Sequence, residues 1–232
     1  MKTSEKTNWA KYLVEFFSIF IAILLAFTLE NWNENKRDRN TESSILKEIS
    51  NGLVKDLQDI ADNSNGHKLG IEACIYWQKI VSKQNVDARL FIQHYIRLSR
   101  DFISIQNTSG YESLKSQGLG IILDDSLRVD IISLYEFDYS ILRKLEEDYY
   151  EMQYQENFSK DINRMISPNF VFDSLGKLKS IKLPLQLTEK NRKLFLTFLW
   201  QIEGSRKYLL SNYTLVEKRV KRLKSRIDKV LE

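Results

Sequence analysis

Residues 12–29 read YLVEFFSIFIAILLAFTL, and residues 29–40 continue LENWNENKRDRN. The first stretch is apolar apart from Glu15, Ser18 and Thr28. The second replaces aliphatic residues with tryptophan, asparagine and charge, and no glycine or proline occurs anywhere in residues 1–51. A helix bound for a globular core ordinarily ends in such a breaker; this one changes its solvent instead. Roughly 20 apolar residues span the hydrocarbon of a bilayer, so the run is sufficient at the lower limit. Trp9 and Trp32 bracket it about 34 Å apart at 1.5 Å per residue, which suits aromatic anchors at the two interfaces. Apolar residues occupy every side of the helix, unlike a core helix with one polar face. A signal peptide fits less well, because an acid interrupts the apolar region and no A-x-A site follows it. The sequence therefore predicts a short tail at 1–11, a transmembrane helix at 12–32 and an extramembrane body at 33–232.

Along the predicted span, Glu15, Ser18, Ala22, Ala26 and Leu29 recur every three or four residues and share one face. Ser18, Ala22 and Ala26 form a small-xxx-small ladder that permits close helix approach, hence a homo-oligomer. An acid in such a segment is a functional candidate by default. The competing role for Glu15 is interfacial: it lies one turn from Lys11 and can pair with it while snorkelling.

The 232-residue chain has only 8 glycines and 2 prolines, which favours long helices over turn-rich β structure. The expected fold class is all-α: the transmembrane helix continues into a helical bundle, with a loop or small β-hairpin near 167–187. Ile45, Leu46, Ile49, Leu53, Leu57 and Ile60 carry the first helix onward as an amphipathic stripe. Asp62-Asn-Ser-Asn-Gly66 reads as its break, with a second helix at 69–83 and a third at 85–98, Asp87 near the start of the third. A short helix bearing Tyr111 and Leu114 ends at Gly118. A long one, capped by Asp124, Asp125 or Ser126, comes next with Leu127, Ile131, Leu134 and Ile141 inward. The last helix starts near Thr188, and Val216, Val220, Leu223, Ile227 and Val230 form an a/d seam in it.

The net charge of +4 is uneven: residues 206–232 hold nine Lys/Arg against three acids, leaving the rest at −2. That basic helix admits three readings, namely lipid contact, nucleic-acid contact or helix–helix packing, and its narrow apolar seam favours packing. A lone Cys74 excludes an internal disulfide, and two histidines on separate elements argue against a metal centre. Neither a phosphate-binding glycine loop nor an HExxH or GxSxG pattern occurs. No cofactor is implied. The acidic run Glu146, Glu147, Asp148 and Glu151 reads as a solvated helix face. Tyr111, Lys115 and Arg128 form the one candidate anion or ligand corner, near the start of the long helix. The bland alternative is a packed corner, with Gly118 as a left-handed cap and Arg128 paired to Asp124 or Asp125.

The block KYLVEFFSIFIAILLAFTLENWNENKRDR together with YESLKSQGLGIILDDSLRVDIISLY resembles a family of bacterial single-pass membrane proteins, the domain of unknown function numbered six-zero-nine-zero. Glu15, Asn31, Trp32, Asn33, Glu34 and Asn35 fit its first motif. Tyr111, Ser113, Leu114, Lys115, Ser116, Gly118, Leu127 and Arg128 fit its second. Phe16-Phe17-Ser18 departs from the small and β-branched residues usual there. The resemblance implies a helical body anchored in the bacterial inner membrane and supplies no activity.

Positive residues flank the span almost equally, and the amino terminus tips the balance to a cytoplasmic N-terminus with a periplasmic body. Nucleic acid then drops out as a partner, leaving the lipid bilayer, further copies of the chain and an unidentified protein. The expected function is a non-enzymatic scaffold, accessory or sensor role through protein–protein contacts. The alternative is an oligomeric transport or energy-coupling component in which Glu15 titrates.

Overall fold

Helix α1 runs without interruption from Trp9 to Val81, 73 residues or about 110 Å of rod. The structure is a computed structural model, and it describes residues 9–232. The expected tail at 1–11 therefore lies mostly outside the described residues, and its last part, from Trp9, is already helix.

Among the described residues, the first third of α1 packs against no other element. From Trp9 to Trp32 its large apolar side chains stand in the open; Phe20, at 48 % exposure, is the most covered of them. This part of the helix is long and apolar enough to cross a membrane, and none of its apolar window is buried. Burial begins at Ile45 and follows the predicted stripe through Leu46, Ile49, Leu53 and Ile60.

The predicted break at residues 62–66 is absent, and the expected second helix is the far end of α1. The polar side chains are absorbed without ending the helix. Asn63 Nδ2 donates to Asp59 one turn back (3.0 Å), and Asp62 accepts from Gln58 (3.1 Å). Gly66 is a point of close approach: a β-carbon there would lie 2.3 Å from the Phe102 ring. The stripe simply changes composition, passing through Asn63, His67 and Gly70 before returning to Cys74, Trp77 and Val81.

A 3-10 turn capped by Asp87 leads into α2 (Phe91–Leu98), after which residues 99–108 form neither helix nor strand. Then come α3 (Ser109–Gln117) and α4 (Asp125–Ile132), whose N-cap is Asp124, accepting from Ser126 and Leu127 amides at 2.8 and 3.0 Å. Such a cap stabilises by about 1 kcal/mol. The expected long helix is divided by a π-helical turn at Ser133–Asp138 before α5 (Tyr139–Glu147). The extra residue in that turn rotates α5 relative to α4, so Leu142 is buried where Ile141 was expected inward. Helices α6 (Tyr154–Asn157) and α7 (Ser159–Ile166) precede a hairpin of β1 (Phe170–Phe172) and β2 (Leu178–Ile181). The hairpin occupies the predicted window and pairs Phe170 with Ile181.

Helix α8 (Glu189–Leu231) starts at its predicted cap, Thr188, which accepts from the Asn191 amide at 3.2 Å. It packs antiparallel to α1. Ser50 Oγ donates to Asp228 (2.6 Å) at one end, and Gln78 Nε2 donates to Glu203 (2.8 Å) at the other. Its seam of Val216, Val220, Leu223 and Ile227 is buried against the body, so the basic helix does pack helix on helix. Val230 departs from the expected seam at 53 % exposure, because a straight helix drifts about 20° per heptad from a strict seven-residue repeat.

These elements enclose two apolar clusters. The first joins residues 45–60 of α1 to α3, α4, α5 and the C-terminal half of α8. The second joins residues 73–81 of α1 to α2, α7, the hairpin and the N-terminal half of α8.

Candidate functional site

Between the two clusters lies a belt of buried polar groups, and the irregular strap of residues 99–108 crosses it. Arg206 of α8 is completely buried, as is His67 of α1. Arg206 Nη2 donates to the carbonyls of Arg100 (2.8 Å), Leu98 (3.2 Å) and Arg97 (3.5 Å). Its Nη1 lies 3.2 Å from His67 Nδ1, and its guanidinium carbon sits 4.0 Å from the Tyr154 ring centroid. An always-donating guanidinium requires that Nδ1 accept, so the imidazole proton is on Nε2. Burial, and then the Arg206 charge, push the His67 pKa down to about 3, which keeps the ring neutral. Burial likewise lowers the Arg206 pKa, against which Tyr154, Cys74 and Asp101 act.

The strap's next residues are held by acids. Asp101 accepts from the Tyr154 amide (2.7 Å). Glu146 Oε2 accepts from the Ser104 amide (3.0 Å) and hydroxyl (2.9 Å), and its other oxygen accepts from the Tyr213 hydroxyl. Asp59 accepts from the Ile105 amide (3.0 Å). Asp56 accepts from the Asn107 amide and the Tyr139 hydroxyl, both at 2.6 Å. Burial raises the pKa of Asp56, Asp59 and Glu146; their hydrogen bonds oppose this, and Asp59 adds like-charge repulsion to the other two. Among the described residues none of these three acids forms an ion pair. Buried cation and buried anions thus do not pair with one another. Each grips the complementary end of peptide dipoles: the cation takes the carbonyls of Arg97 and Leu98 at the end of α2 and of Arg100 in the strap, and the acids take the strap amides of Ser104, Ile105 and Asn107.

This placement corrects the reading of Glu146 as part of a solvated face: it is 4 % exposed, while Glu147, Asp148 and Glu151 stay exposed. Sequence reasoning also passed over Arg206 and His67. The signal was present, because Ile202, Arg206, Leu209 and Tyr213 step at helical spacing along a buried face.

The other candidates lie apart from this belt. Glu15, Ser18, Ala22 and Ala26 are on the free part of α1, where the Ser18 hydroxyl donates back to the Val14 carbonyl (2.7 Å) and Thr28 to Leu25 (2.9 Å). Both hydroxyls are thereby satisfied without water. No ion pair joins Lys11 to Glu15 among the described residues. At the exit, Lys36 Nζ stands 5.4 Å from the Trp32 ring centroid; Trp9 is 74 % exposed.

At the Tyr111, Lys115 and Arg128 corner, Tyr111 is buried and stacks on Tyr135 with ring centroids 4.6 Å apart. Lys115 is engaged by Glu112 (2.8 Å) and Glu136 (3.9 Å). Arg128 pairs with Asp125 and donates to the Ile122 carbonyl (2.8 Å). Both cations are therefore engaged by neighbours in the fold, and Gly118, with φ 94° and ψ 130°, takes a positive φ outside the left-handed helical region. No group of metal-ligating side chains occurs among the described residues.

No protein-family model matches the chain, and neither a curated protein nor a solved structure does.

Proposed function

We propose that the protein is a single-pass membrane protein that acts without catalysis, as a scaffold, accessory or sensor subunit working through protein contacts. The observation that carries this reading is the continuity of α1: one helix is bare and apolar at one end and lines the core of the body at the other. In water, exposing that apolar length is costly at about 25 cal/mol per Å²; in lipid it is the favourable arrangement. A helix without a hinge also transmits any tilt or displacement of the anchor straight to the polar belt. The belt's charges are occupied in holding the strap, which supports a structural role for them over a chemical one.

In this reading the membrane is the bacterial inner membrane, the N-terminus is cytoplasmic and the body periplasmic. The ladder of Ser18, Ala22 and Ala26 is the face on which copies associate.

Cys74 is buried and burial raises its pKa to about 12, so it is a poor target for thiol reagents. A single added cysteine therefore reports orientation. Leu175→Cys, at the hairpin tip where Leu175 is 79 % exposed, is expected to react with a membrane-impermeant maleimide added to intact spheroplasts. The protein is also expected to stay in the membrane pellet through an alkaline carbonate wash. Release into the supernatant contradicts the anchor; labelling only after lysis reverses the orientation.

A further inference from the structure

Among the described residues, no backbone–backbone hydrogen bond ties down residues 101–107. The segment inserts one apolar side chain, the half-buried Phe102 ring against Gly66 and His67, while Ile103 and Ile105 point outward at 48 % and 78 % exposure on either side of the inward Ser104. Beside that ring, what keeps it in place is charge: the buried Arg206 from α8, Asp56 from α1 and Glu146 from α5, together with the half-buried Asp59 of α1. Burying ions without a partner ion is costly, and opening returns them to water. Segments with few apolar contacts and no ladder open locally at less cost than the whole fold.

We propose that residues 99–108 are a releasable latch, which opens as one unit and, while closed, fixes the axial position of α1 against α8. The two grips sit on different helices. From α8, Arg206 holds the Arg100 carbonyl of the strap and the last carbonyls of α2 just before it, passing over Gly70 where α1 has no side chain in the way. Asp56 and Asp59 hold the downstream amides from α1. Sliding α1 along α8 therefore pulls the two ends of the strap apart. The latch depends on contacts within the body alone, so it stands or falls separately from the membrane reading; that reading adds the source of the pull, since the apolar segment belongs to the same helix.

The test is amide hydrogen exchange on the full-length protein in detergent, with and without a lock. A β-carbon at Gly52 lies 3.5 Å from Asn107 Cβ, within the range of about 3.5–4.5 Å that a disulfide needs. In Cys74→Ser protein carrying Gly52→Cys and Asn107→Cys, the reduced form is expected to exchange the amides of Ser104, Ile105 and position 107 together. Their rate should exceed that of residues 45–60 of α1 by about tenfold or more. Oxidation should bring the strap down to the core rate, and reduction should restore it. Strap exchange at the core rate in the reduced protein overturns the proposal, as does exchange unaffected by a formed disulfide. Should the cysteine pair not fold, Arg206→Lys carries the test. Losing the forked donor is expected to raise strap exchange with the α1 core unchanged, and an equal rise in both overturns the latch.

Discussion

Arg206 and Gly70 share one place on the interface between α1 and α8: a β-carbon at Gly70 would lie 2.5 Å from both Cζ and Nε of the arginine. The absent side chain and the buried guanidinium are two halves of one feature. Arg206 is fixed by three carbonyls, His67 and the Tyr154 ring, so it has no free rotamer to retreat into.

Gly70→Ala is accordingly expected to destabilise by about 1–3 kcal/mol, the range for overpacking a filled core. Gly204→Ala is the control on α8. Nothing lies within 4 Å of its β-carbon, so removing a helix-interior glycine there should stabilise by about 0.5–1 kcal/mol. Urea denaturation of both variants measures the contrast, and equal effects of the same sign contradict it.

His67 makes stability fall on the acid side. Its pKa drops from 6.5 to about 3 on folding, so below pH 6.5 the unfolded chain takes up a proton that the folded chain refuses. Stability from the neutral ring is complete above pH 6.5 and is lost at about 1.4 kcal/mol per pH unit between 6.5 and 3. His67→Leu should lack that slope in denaturation midpoints between pH 7 and 4. An unchanged slope places the effect elsewhere.

Asp56 works in the opposite sense. Burial raises its pKa above 3.8, so the folded state holds this proton more tightly than the unfolded chain. Its contribution to stability therefore decreases as pH rises from 3.8 through the raised value, then stays constant. Asp56→Asn keeps an acceptor for the Asn107 amide and cannot ionise. Its stability relative to the parent protein should increase from pH 4 to pH 8; a constant difference contradicts the assignment.

On the free part of α1, Ala22→Leu fills the middle of the small-residue ladder and should lower the mass of the detergent-solubilised assembly. Glu15→Gln should leave both assembly and biological output unchanged. Loss of output with assembly intact supports the energy-coupling alternative, in which Glu15 carries a proton, against the scaffold reading.

Much of this architecture was legible from residue order. The exposed apolar segment, the stripe from Ile45 to Ile60, the Asp124 and Thr188 caps and the hairpin window all arise from local periodicity and capping chemistry, which depend on near neighbours. The misread features depend on residues distant in the chain. Asp62-Asn-Ser-Asn-Gly66 carries the composition of a turn, yet Gly66 is there for the ring of Phe102 and the helix continues. Glu146 sits among solvated acids, but its partners are Ser104 and Tyr213. The π-helical turn at Ser133–Asp138 moved the buried position from Ile141 to Leu142 through one extra residue that no hydrophobic pattern marks. The strap has no periodic signature, because the amides of Ser104, Ile105 and Asn107 and the carbonyls of Arg100 and Ile103 are met by side chains from three other helices.

A site-directed spin-label scan from Phe16 to Ile60, in lipid bilayers, tests the continuity of α1 most directly. Oxygen should reach labels from Phe16 to Leu29 on every side except the Ser18, Ala22 and Ala26 face, where copies associate. Accessibility should then pass to a water-soluble relaxation agent near Trp32 and fall into a 3.6-residue rhythm from Ile45 onward. Labels away from that face that are shielded from both reagents, or a loss of helical rhythm between Asn31 and Ile45, would contradict a single rod joining lipid to core.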